Sequence, residues 1–219
     1  MSTLKRELVC WKTLWDVFIS DKEFRKYYTN TKGDYRVTNR TTKPIRQPSG
    51  TLLLPGTRSS GEDHFVTYNM TPARITVFDP SDTSGTYGSY LNDRVKKRIS
   101  KLANKPLYVN NRHPQCHSGD TFCQTWSLAW LRRNHHTHIN ESQTPSSSSV
   151  PLAMLVRRIA SSTRFEEYML ANKVQFQPII NKERVKNQLR PTLSVEEFIR
   201  MSQHITSHQI KDILGKHKN

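Results

Sequence analysis

Cysteine is scarce in this chain, with 3 in 219 residues. A small, odd number argues against a disulfide scaffold and for a reducing compartment. No long apolar run is present, and the first ten residues carry Lys5, Arg6 and Glu7. Neither a signal peptide nor a transmembrane segment is expected, and no membrane partner. The Asn-x-Ser/Thr matches at Asn39, Asn69 and Asn140 are therefore read as without meaning. Acidic residues are also few. Eighteen Asp and Glu face 34 Lys and Arg, for a net charge of +16. Such a balance favours polyanions, nucleic acid or acidic protein surfaces, yet no RNP or zinc-finger motif accompanies it. No internal repeat is present either.

What the chain does contain is enough to fold. It has 4 Trp, 8 Tyr and 8 Phe, and its length fits one domain over 1–219. A core is expected at about 50–135, with helical N- and C-terminal parts. Leu4 to Tyr28 reads as helix, its stripe made by Leu8, Trp11, Leu14, Trp15, Phe18 and Ile19. Ser20-Asp21 is a break point within it. Thr29 to Pro48 is polar, basic and without periodicity, a surface loop or an arm on a polyanion. Thr51 to Leu54 fits a strand ending at Pro55-Gly56. His64 to Met70 alternates as a strand, and Arg74 to Phe78 is a second one stopped by Asp79-Pro80. Their short link predicts an antiparallel pair.

Ser81 to Ser89 reads as a loop, Leu91 to Leu102 as a basic helix and Leu107 to Val109 as a short strand. Asn111 to Gly119 is a polar loop. Cys123 to Leu131 is the next helix, with Asp120 a candidate N-cap because its carboxylate can accept first-turn amides. Arg132 to Ser149 is a polar loop. Pro151 opens a helix carrying Leu152, Leu155, Val156 and Ile159, which Phe165 to Leu170 continues or restarts. Phe176 to Ile180 reads as a short strand or packed loop. Ser194 and Glu197 form a capping box, and Ser207 to Leu214 is the last helix, stopped by Gly215. The class is α+β: a small central, mostly antiparallel sheet packed on the helix that starts at Cys123.

Four polar residues carry chemistry by position. Cys123 sits in the first turn of its helix, where the aligned peptide dipoles favour thiolate over thiol. A hairpin would bring His64, near the start of one strand, beside Asp79 at the end of the next. Asp79 would fix the imidazole tautomer, and His64 would take the proton of Cys123 and return one to a leaving amine. Gln115, eight residues before Cys123, would donate to a developing oxyanion together with the Cys123 backbone N–H.

The order His64, Asp79, Gln115, Cys123 resembles that of the adenovirus maturation protease and of the eukaryotic proteases that process ubiquitin-like proteins. The matching pieces are His64-Phe65, Val77-Phe78-Asp79-Pro80-Ser81, and Gln115 through Asp120-Thr-Phe-Cys123, within residues 60 to 131. The small basic chain and Phe-Cys-Gln-Thr-Trp-Ser look most like capsid maturation proteases of virophages and large DNA viruses. Gln124 stands where many relatives have Gly, and Phe65 where Trp is common. The resemblance implies a monomeric cysteine endopeptidase acting on viral capsid or other structural precursors near Gly-containing sites. It places the enzyme in the virion and the host cytoplasm, at the viral factory, with DNA as a partner through the basic surface. No cofactor or metal is implied.

Two other readings stay open. One keeps the protease but directs it to removal of ubiquitin-like, SUMO-type tags. The other is a basic zinc-containing, nucleic-acid-binding protein, since His113, Cys116, His117 and Cys123 are all possible zinc ligands. Their spacing fits no common finger. Cys10 is read as core and the His135, His136, His138 cluster as a solvated loop.

Overall fold

The computed structural model describes residues 2–54, 64–81, 90–110, 114–115, 120–134 and 149–215, with side chains left out at 133, 134 and 149–151. The chain forms two compact units, one from residues 29–145 and one from 1–28 with 146–219. Among the described residues no helix is long and apolar enough to cross a membrane. The fold is α+β.

Unit 29–145 is built on a five-stranded sheet in sequence order. Its strands are β1 (Asp34–Arg36), β2 (Ser49–Leu54), β3 (His64–Met70), β4 (Ile75–Phe78) and β5 (Leu107–Asn110). The central pairings, β2 with β3 and β3 with β4, are antiparallel, the second as expected. Both edge pairings are parallel, so the sheet is mixed rather than mostly antiparallel. β1 lies inside Thr29–Pro48, which carries no strand periodicity. Its three residues are held by pairing with β2, and Val37 and Ile45 anchor the rest of the segment by burial. Ile45 N–H donates to the Leu102 carbonyl at 2.9 Å, so this basic stretch is packed down rather than loose.

Among the described residues, two helices belong to this unit. α3 (Asp93–Ala103) begins two residues later than expected because the Asn92 side chain caps it, accepting from Val95 N–H. Asn104 ends it in the left-handed region at φ 51°. Ile99 and Leu102 of α3 join Leu52, Leu54, Val66, Tyr68, Ile75 and Val77 in one buried cluster. Alternation turns Phe78 away from that cluster, and its ring stacks on Trp130 at 5.3 Å. Trp130 belongs to α4 (Cys123–Asn134), which lies against β3 and β2.

The other unit is helical: α1 (Thr3–Ile19), α2 (Lys22–Thr29), α5 (Ser149–Ala160), α6 (Thr163–Ala171), α7 (Lys173–Lys186), α8 (Val195–His204) and α9 (Ser207–Leu214). The break between α1 and α2 falls at Ser20-Asp21, where the Asp21 carboxylate accepts from Phe24 N–H at 2.7 Å. The α1 stripe is buried in full, and Trp11 Nε1 donates to Ser202 Oγ at 2.9 Å. Trp15, Phe18, Phe24, Phe165, Phe176 and Phe198 complete an aromatic core.

Phe176 to Ile180 is neither strand nor loop but the middle of α7. Phe176, Ile180 and Arg184 recur every four residues and are all buried, so one face satisfies the core at helical period despite Pro178. Gly215 does end α9, but at φ −65° rather than in the left-handed region. The capping box of Ser194 and Glu197 is present, and Thr206 with Gln209 forms a second one on α9.

Candidate active site

The site grows from the register of β3 and β4. Thr67 pairs with Phe78, and each step back along β3 is a step forward along β4. Continued past the ladder, this places position 64 opposite 81, with 79 two steps inside on the same face. The side chains follow the backbone. His64 Nε2 lies 2.8 Å from Asp79 Oδ1, and both residues are buried. Ser81 Oγ lies 3.2 Å from the same ring nitrogen, and Ser81 N–H donates to Asp79 Oδ1 at 2.9 Å.

This fixes the imidazole. An ionised carboxylate can only accept, so in the neutral ring the nitrogen facing Asp79 carries the proton and Nδ1 carries the lone pair. Nδ1 is thus the atom able to receive a proton from a thiol. The Tyr90 ring stacks on the imidazole at 4.3 Å and 19°, covering one face. A buried His–Asp pair is a poor way to gain stability, because desolvation offsets most of the attraction.

Gln115 is carried to the same end of the sheet. Its N–H donates to the Pro80 carbonyl at 2.9 Å, and it forms an isolated parallel bridge with Ser81. The sequence reading leaves it in a loop; the bridge gives it a strand-like partner just beyond β4. Its side-chain Nε2 donates to the main-chain carbonyl of Asp120. The amide orientation is set by the carbonyl it must face.

Asp120 then sets the start of α4. Its Oδ1 accepts from Phe122 N–H at 2.9 Å and its Oδ2 accepts from Trp126 Nε1 at 3.2 Å. The helix itself begins at Cys123, so Asp120 is not the N-cap residue. It braces the turn before the helix, with Phe122 accepting the first helical bond from Trp126 N–H at 3.1 Å. Phe122 is fully buried and pins the entry to the helix, while Cys123 is half-buried.

Asp79 and His64 are therefore in direct contact, and Gln115 is tied to them through Pro80 and Ser81. Gln115 is in turn tied through Asp120 to the turn that opens α4 at Cys123. Ser81 and Tyr90 were not singled out as functional from the sequence. Ser81 was legible in principle from the strand register, once the pairing was fixed. Tyr90 follows a polar stretch of sequence and carries no periodic signal. His113, Cys116, His117 and the His135, His136, His138 cluster lie outside the described residues. Among those described, no group of His, Cys, Asp and Glu is arranged to hold a metal ion.

Cys10 has a contrasting setting. Burial pushes its thiol up to about 11, with Arg184 opposing and Glu183 and Glu7 adding to the shift.

No protein-family model, curated protein or solved structure matches this chain.

Proposed function

We propose that this protein is a cysteine endopeptidase that cleaves viral capsid or other structural precursors, near Gly-containing sites, during virion maturation. The observation that carries the reading is the buried 2.8 Å pair of His64 Nε2 and Asp79 Oδ1 at the same sheet end as Gln115. The braced turn that starts α4 at Cys123 supplies the nucleophile. In the reaction, His64 Nδ1 takes the thiol proton and the thiolate attacks the scissile carbonyl. The backbone N–H of Cys123 and the amide of Gln115 hold the oxyanion. His64 then protonates the leaving amine, and a water molecule, deprotonated by the same ring, releases the acyl group. The viral substrate rests on the resemblance of the ordered residues, and the place of action is the virion and the viral factory.

The basic surface gives a second partner, the packaged DNA. Arg36, Arg40, Lys43 and Arg46 are exposed on the packed segment, and Arg94, Lys97 and Lys101 are exposed on α3 of the same unit. Incubation with candidate virion structural proteins, followed by mass spectrometry of the new termini, tests the proposal. Termini near Gly that vanish with Cys123→Ala are the expected result; termini that persist with it would remove the assignment.

A further inference from the structure

We infer that Ser81 is a positioning residue whose hydroxyl, as a second acceptor beside Asp79, holds the His64 ring with Nε2 protonated and Nδ1 free for the thiol. The inference rests on the proposed cysteine chemistry and deepens it. Three contacts converge on this one residue. Its Oγ lies 3.2 Å from His64 Nε2, its N–H donates to Asp79 Oδ1 at 2.9 Å, and its backbone bridges Gln115. The register explains why they coincide, since position 81 is where β3 places His64 across the sheet.

The chemistry is specific to a short hydroxyl. A protonated Nε2 directed at Asp79 is close enough to Ser81 Oγ to be shared between the two oxygens. Sharing restrains rotation of the ring about χ2, because a turned ring would leave the buried Asp79 oxygen and the partly buried Ser81 hydroxyl beside a C–H. The backbone N–H of Ser81 meanwhile holds the Asp79 oxygen that accepts from the ring. The hydroxyl and the amide of one residue thus fix both members of the pair. Alanine keeps the backbone bridge and the amide bond but loses the second acceptor. Threonine keeps all three.

The rate at which iodoacetamide alkylates Cys123, followed by mass spectrometry of its peptide at neutral pH, reads the outcome without any substrate. Thermal unfolding of each variant is recorded alongside. Ser81→Ala is expected to slow alkylation about tenfold at an unchanged unfolding temperature, Ser81→Thr to match the parent, and His64→Ala to be slowest. Parent-like alkylation in Ser81→Ala with slow His64→Ala would overturn the role of Ser81 and leave the protease reading standing. Slowing in both Ser81 variants would also overturn it, since side-chain shape and not the hydroxyl would then matter. If His64→Ala itself reacts like the parent, the protease reading fails and the role of Ser81 with it.

Discussion

At the scale of single residues, the two described cysteines differ in burial. Cys10 is buried on α1, and loss of hydration holds its thiol protonated up to about pH 11, against an ordinary value of 9.0. Below about pH 9 the thiol is neutral in both folded and unfolded chain, and its full contribution to stability is present. As pH rises from 9 to 11 the unfolded thiol ionises first, and that contribution is lost. Thermal unfolding across this window is expected to show a steeper loss for the parent than for Cys10→Ala; equal slopes would contradict the burial argument. Cys123 is half-buried at a helix start, where an anion is favoured, and the proposed chemistry depends on that difference. Cys123→Ala and His64→Ala are expected to abolish cleavage with the fold intact by circular dichroism. Asp79→Asn should reduce turnover less, since it disturbs orientation and not the transferred proton. Gln115→Ala, removing one oxyanion donor, is expected to lower kcat by about 10²-fold, as such donors do elsewhere.

Elements show why part of the structure was legible in the sequence. β3, β4 and α4 follow from alternation, from the Asp79-Pro80 stop and from the polar stretch of sequence before Cys123, and these are the elements that place the candidate site. The α1 stripe was legible because six large apolar residues repeat at helical spacing. β1 was not, because three residues are too few to show alternation, and their strand form comes from pairing with β2 and from Tyr35 packing on the core. α7 was misread because Pro178 interrupts a short apolar run, while its true pattern, Phe176, Ile180 and Arg184, needs the buried arginine to be counted. That arginine is satisfied from afar. Arg184 is bidentate to Glu7 at 2.7 and 3.0 Å and donates through Nε to the Arg190 carbonyl at 2.6 Å. Glu7→Ala strands a buried guanidinium, and since Glu7 is partly exposed the expected cost is about 2 kcal/mol, below the range for wholly buried pairs. Chemical denaturation would read this as a lower midpoint at unchanged slope; an unchanged midpoint would remove the pair from the account of stability.

For the whole molecule, charge and chemistry make separate predictions. A surface with net charge +16 that rests on a nucleic-acid backbone releases counterions on binding. If about six phosphates are neutralised, affinity for duplex DNA should fall about 10³-fold between roughly 50 and 200 mM salt, with little sequence preference. Lys97→Ala with Lys101→Ala should flatten that slope. Titration of the Cys123→Ala protein at several salt concentrations checks this, and salt-insensitive binding would contradict it while leaving the catalytic site untouched. The central claim is that Cys123, with His64 as its base, breaks peptide bonds. Its most direct test needs no assumption about the natural substrate. A diverse peptide library is incubated with the parent, Cys123→Ala and His64→Ala, and new termini are counted by mass spectrometry. New termini in the parent alone are the expected result; none in the parent, or the same set in the variants, would contradict the claim.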